Sequence, residues 1–259
     1  MSKIIVFTIA TNKYFEYWNN MVISADKFLF LHDQVTFHVF TNHDKNSLNI
    51  ELNRVEVVFH KIPDLKWPDA TLYRYKYIYE WGINLESDFF VHIDADMLIV
   101  PHKSVPISEL LGENEVGLVL HPGYWRINFP ERIGFYINNF KYFLKDLIII
   151  TKYGNLGTWC KNKKSKAFVR RTKRKKYYCG AVWFGKKNAI LKLANGLQKF
   201  TETDMKQNNI PAWNDESYLN YWATNNNFKK FDPSFCFEQS YKNLEYLNPV
   251  IIALDKNRL

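Results

Sequence analysis

The chain is poor in cysteine, with only Cys160, Cys179 and Cys236 among its 259 residues. Their odd number and wide spacing exclude a disulfide framework, and without a CxxC pair or Cys/His ligand spacing they exclude a thiolate metal knot. We expect all three to be reduced. Long apolar runs are also missing: none approaches the ~18 residues that cross a bilayer, and Met1-Ser2-Lys3-Ile4-Ile5-Val6 is no basic leader with an apolar segment behind it. The expectation is a cytoplasmic protein whose membrane contact, at the inner face, is peripheral. Repeats, Ser/Gly linkers and low-complexity tracts are absent as well. Nothing divides the chain, so we expect a single domain over 1–259, long enough to bury one substantial core.

Acid is missing from one stretch. Between Lys161 and Lys176 there are ten basic residues and no acidic one, which supplies much of the net charge of +9. Such a run suits nucleic acid, an anionic membrane face or the phosphates of a nucleotide sugar, and it also suits a solvated loop. Against these shortages stand 47% hydrophobic and 17% aromatic residues. A chain this apolar offsets its ordering entropy by burial, which excludes wholesale disorder.

The stretch that organises the rest is Phe89-Phe90-Val91-His92-Ile93-Asp94-Ala95-Asp96-Met97-Leu98. An apolar run of strand formers ends in two carboxylates, which reads as a buried strand delivering charge to its mouth, where open α/β sheets place their chemistry. In extended chain Asp94 and Asp96 point to one side, so two hard oxygen donors converge on a divalent cation whose shell water or phosphate completes.

Around this stretch the pattern is α/β. Residues 3–10 and 35–40 read as strands flanking a helix that ends near Phe28, a βαβ opening, and 55–60 as a third strand. Residues 63–69 form a turn, and 71–81 a helix with Arg74 in its first turn. Residues 116–120 make another buried strand, which ends in His121-Pro122-Gly123-Tyr124-Trp125, an imidazole beside aromatic rings that suits a sugar. Ile133, Ile137, Phe140, Leu144, Leu147 and Ile148 share one stripe, predicting an amphipathic helix over 129–150 that packs on the domain or rests on a membrane surface. Tyr177 to Gly185 mixes small residues with aromatics, as a core strand or pocket wall would. Helices follow over 187–200 and from Pro211, where Asp215 and Glu216 fall in a first turn.

Taken together these stretches resemble glycosyltransferase family six, the histo-blood-group A and B type of retaining α-1,3-galactosyl and N-acetylgalactosaminyltransferases. The likeness runs in family order through Ile9–Tyr14, Trp67–Arg74, Asp94-Ala95-Asp96, His121–Tyr124, Ser165-Lys166-Ala167-Phe168, Tyr177–Ala181, Trp213-Asn214-Asp215-Glu216-Ser217 and Asp255-Lys256-Asn257. It implies a single α/β domain of GT-A type with a central mixed sheet flanked by helices. About 1–115 would be the nucleotide-sugar and metal half, and about 116–259 the acceptor half and closing tail.

The resemblance further implies Mn²⁺ or Mg²⁺ on Asp94 and Asp96, a UDP-sugar donor (UDP-Gal or UDP-GalNAc), and an oligosaccharide or glycolipid acceptor, with no nucleic acid. Donor contacts would come from Ile9, Thr11, Tyr14, Arg74, Asp94, Ala95, Asp96, Cys179, Gly180, Ala181, Asp215 and Lys256. His121, Trp213 and Glu238 would contact the acceptor, and Glu216 would be the catalytic carboxylate.

The chain departs from the family pattern in two places. Asn214 stands where the family usually has His, and the segment from about Arg126 to Gly157 is longer than expected. Other classes fit less of the chain. A UDP-sugar transferase of another GT-A family would share the acids but not the acceptor; a nucleic-acid binder would use 161–176 and leave the paired acids idle; a carbohydrate-binding module would make those acids redundant.

Overall fold

The computed structural model describes residues 1–47 and 51–255. The chain opens with β1 (Lys3–Ile9), α1 (Tyr14–Phe28), β2 (Gln34–Thr41) and β3 (Glu56–Lys61). Two helices, α2 (Asp69–Leu72) and α3 (Arg74–Gly82), lead to β4 (Phe89–Ile93) and β5 (Met97–Ile99). Then come α4 (Ile107–Leu111), β6 (Val116–Leu120), α5 (Glu131–Asn138), α6 (Phe140–Tyr153) and β7 (Tyr178–Lys186). The chain continues through α7 (Lys187–Lys206), α8 (Asn214–Ala223), β8 (Lys229–Phe231) and β9 (Ile251–Ala253).

Among the described residues the main sheet has seven strands in the order β3-β2-β1-β4-β7-β6-β8. Pairing is parallel from β3 through β4 and between β6 and β8, while β7 runs antiparallel to both neighbours. The expected mixed sheet is present, with helices on both faces. Alternation along β1 sets the two layers: Ile4 and Val6 pack with Phe15, Trp18 and Val22 of α1 on one side. Ile5 and Phe7 pack with Tyr75 and Ile78 of α3 and Leu193 and Leu197 of α7 on the other. Full burial of such side chains is worth ~1.5–3 kcal/mol each, and these two layers fix the sheet that carries the site. Every residue of β4 is buried, as its unbroken apolar run requires.

Two expectations change. Residues 94–96 do not continue the strand in extended form; they make a turn between β4 and β5, where Leu254 N donates to the Asp96 carbonyl (2.9 Å). The β5–β9 pairing, a separate two-stranded sheet, holds β9 beside that turn.

The amphipathic stripe, by contrast, does not pack on the domain. Residues 131–153 form two helices, and Ile137, Phe140, Leu147 and Ile148 are 74, 60, 46 and 66% exposed. What α6 turns inward is Asp146, which receives Arg126 Nε (2.7 Å) and Nη2 (2.5 Å) and the Tyr136 hydroxyl (2.7 Å). A buried charge pair set by hydrogen bonds, rather than the apolar period, decides which side of α6 faces the core. Gly154, at φ +86°, ends the helix in a left-handed turn that a side chain would strain. No helix among the described residues is long and apolar enough to cross a membrane.

Candidate active site

β4 ends at the sheet edge where the Asp94 N–H donates to the Ala181 carbonyl (2.9 Å), extending the β4–β7 ladder by one residue into the turn. Asp94, Ala95 and Asp96 line a cavity of about 440 Å³ together with Ile9, Thr11 and Tyr14 from the end of β1 and Arg74 from α3. Seven residues expected to meet the donor therefore gather round one space. Sequence reasoning assigned no role to Lys13 and Lys66, which also line it; Lys13 precedes Tyr14 and Lys66 lies within the turn at 63–69.

Arg74 joins the acidic turn to α8. Its Nη2 lies 2.9 Å from Asp94 Oδ1, and its Nη1 lies 3.0 Å from Asp215 Oδ2 and donates to the Gly180 carbonyl (2.7 Å). Burial pulls against the guanidinium's charge, but the Asp215 and Asp94 carboxylates outweigh it and hold Arg74 above its usual range. His92, on β4 two residues before Asp94, donates to Asp94 Oδ1 (3.0 Å). That period-two spacing was legible in the sequence, although the role was not read.

Asp215 and Glu216 sit in the first turn of α8 against β7. The Gly180 N–H donates to Glu216 Oε2 (3.0 Å), and a Cβ on Gly180 would lie 2.9 Å from Asp215 Oδ2. Only glycine admits this approach of strand to helix. Burial drives the Glu216 carboxyl up to about 8, despite the Gly180 N–H that favours its charge, with Asp215 adding repulsion. Burial likewise lifts Asp215, to about 6, and Arg74 opposes that rise.

His121 faces Glu216, its Nε2 lying 3.9 Å from Glu216 Oε2. The Gly123 N–H donates to His121 Nδ1 (3.1 Å), which leaves the proton of a neutral ring on Nε2, and burial lowers the imidazole to about 4. Asn243 Nδ2 pins this loop through the Pro122 (2.8 Å) and Trp125 (3.0 Å) carbonyls. Tyr177, a further partner of Glu216, was given no role in sequence reasoning.

Other expected residues are not among those lining the 440 Å³ cavity. Cys179 is buried in the core layer beside Cys236, to which it is hydrogen-bonded, and is not among the residues lining the 440 Å³ cavity. Ala181 is half-buried on β7. Trp213 is 53% exposed at the start of α8. Glu238 borders a separate small cavity with Leu254 and Asp255. Lys256 lies outside the described residues. The basic run does not line the main cavity: Ser165 and the Lys166 N–H anchor it on buried Asp204, Arg174 is spent on backbone carbonyls, and its remaining cations are exposed.

Among the described residues no group of three or more His, Cys, Asp or Glu side chains could hold a metal ion. The Asp94/Asp96 pair offers two hard oxygen donors, which fits Mg²⁺ or Mn²⁺ sharing its shell with water and phosphate, and does not fit a closed tetrahedral site. With such a cation bound, the acidic turn would take an anionic ligand, and Glu216 and His121 lie beyond Arg74.

The chain is 26% identical over 254 residues to the O-antigen biosynthesis glycosyltransferase WbnI of Escherichia coli, covering 98% of this chain and 94% of that protein. The family model described as Glycosyltransferase family 6 matches residues 2–135 and 154–258. With that match and its seven-stranded mixed sheet flanked by helices, the chain belongs to glycosyltransferase family 6 and has a fold of GT-A type.

Proposed function

We propose that the chain is a metal-dependent, retaining α-1,3-glycosyltransferase that moves galactose or N-acetylgalactosamine from a UDP-sugar to a β-galactoside, fucosylated or plain, on an oligosaccharide or glycolipid. The observation that carries this reading is the bridge through Arg74: one guanidinium spans Asp94 at the cavity and Asp215 beside Glu216. The acidic turn and the catalytic carboxylate then belong to one site. Ile9, Thr11 and Tyr14 border the uridine, and Arg74 and Asp215 meet the donor sugar.

Asp94 and Asp96 would hold Mn²⁺ or Mg²⁺, which when bound stabilises the departing diphosphate. The anomeric C–O bond breaks with its electron pair going to the diphosphate, the acceptor oxygen bonds the anomeric carbon on the same face, and the acceptor's hydroxyl proton passes to the leaving phosphate oxygen as UDP departs. Glu216 faces the anomeric carbon and stabilises its positive character, while neutral His121 donates from Nε2 to an acceptor oxygen. Ala181 narrows the sugar pocket relative to glycine, and one methyl group discriminates by only ~1–3 kcal/mol, so both donors stay in the proposal.

The test is a donor-by-acceptor screen for UDP release, with linkage analysis of the product. Transfer of Gal or GalNAc in α-1,3 linkage supports the reading; strict use of UDP-Glc points to a different donor class and overturns it.

A further inference from the structure

We infer that the α5–α6 hairpin, with the basic segment behind it, is a docking surface for an anionic lipid bilayer. This goes beyond sugar transfer and does not depend on it. The family match stops at 135 and resumes at 154, so α6 and the end of α5 belong to this chain and not to the family pattern.

Helical spacing places Phe140, Leu144, Leu147 and Ile148 on the outer side of α6, and Ile137 of α5 continues the strip. All five are exposed. Lys141, Lys145 and Lys152 run along one flank of that stripe at spacings of one and two helical turns. The inner side carries Asp146, paired to Arg126, so the helix is held with its apolar side outward. An apolar strip edged with lysine is the pattern of a helix lying in a membrane interface.

Charge selects the occupant. Residues 126–176 contain fifteen of the chain's 35 Lys and Arg but only two of its 26 acids, one of them the paired Asp146, so the rest of the chain is net acidic. The two parts of this surface are joined in space: Arg171 Nη2 donates to the Ile150 (3.2 Å) and Thr151 (3.1 Å) carbonyls at the end of α6, and Arg174 Nη1 to the Tyr153 carbonyl (2.7 Å). A second copy of this chain would bring the same positive field against itself, whereas an anionic headgroup layer neutralises it while acyl chains cover the apolar strip. Arg126 also donates to the Gly123 carbonyl (3.1 Å), so one side chain ties α6 to the His121 loop.

The test is co-sedimentation of the full chain with phosphatidylcholine vesicles, with and without phosphatidylglycerol. The variant Ile137→Ser/Leu144→Ser/Ile148→Ser changes exposed side chains only, and Lys141→Glu/Lys145→Glu reverses the flank. Wild type should bind the phosphatidylglycerol vesicles, lose binding in high salt, and fall about tenfold or more in either variant. Wild type that stays in the supernatant, or variants that bind as well as wild type, would overturn the inference. So would a dimer that the serine variant dissolves in the absence of vesicle binding, which would assign the face to a second copy.

Discussion

Arg74 lies with its Nη1 3.0 Å from Asp215 Oδ2, both side chains nearly sealed from solvent, and its second terminal nitrogen reaches Asp94. Removing one partner of a buried pair strands the other. Arg74→Ala should therefore lower stability by ~3–5 kcal/mol and abolish transfer. Arg74→Lys should recover part of the stability but little activity, because an ammonium cannot span two carboxylates and a carbonyl as the planar fork does. Denaturant melts and initial rates on the two variants check this.

Glu216, lifted by burial to about 8, is protonated in much of the free enzyme near neutrality. If its charged form does the chemistry, kcat/KM should climb about tenfold per pH unit below that value and level off above it. A flat profile through this range would remove Glu216 from the reaction.

The same shift sets a stability slope. A carboxyl raised on folding from 4.5 to about 8 stabilises the fold below the lower value, and this contribution is lost as pH rises to the upper one. Glu216→Gln should flatten that part of the pH–stability curve and, at alkaline pH, exceed wild type by on the order of a few kcal/mol while inactive. Melting temperatures across the range decide it.

Gly180→Ala should cost ~1–3 kcal/mol and most of the activity, since the new methyl meets Asp215 Oδ2 at 2.9 Å and pushes on Glu216 at 3.3 Å. Gly134, where nothing lies within 4 Å, is the control: Gly134→Ala should keep both.

The sequence made the sheet and the acidic turn legible because both rest on local pattern. β4 reads as buried on every residue, and the cavity-lining stretches 9–14, 67–74 and 94–96 are contiguous in the chain. What escaped was tertiary. That Arg74 bridges Asp94 to Asp215 across more than 100 residues has no periodic signature, and Tyr177 became a partner of Glu216 only through the approach of β7 to α8. Of the two readings of the α6 stripe, packing on the domain is not the one seen: apolar period cannot tell a packed face from an outward one, and it is the Arg126–Asp146 pair that sits on the inner side. Cys179 lies in the core layer because successive residues on β7 point to opposite faces.

The account turns on Asp94 and Asp96 binding a nucleotide diphosphate through a divalent cation. The most direct measurement is isothermal titration of UDP into wild type and Asp96→Ala, each with Mn²⁺ and after chelation. Wild type should bind UDP at least about tenfold more tightly with Mn²⁺ than without, and Asp96→Ala should lose that difference. Equal UDP affinity with and without the metal, or a variant that keeps the full metal effect, would contradict the account.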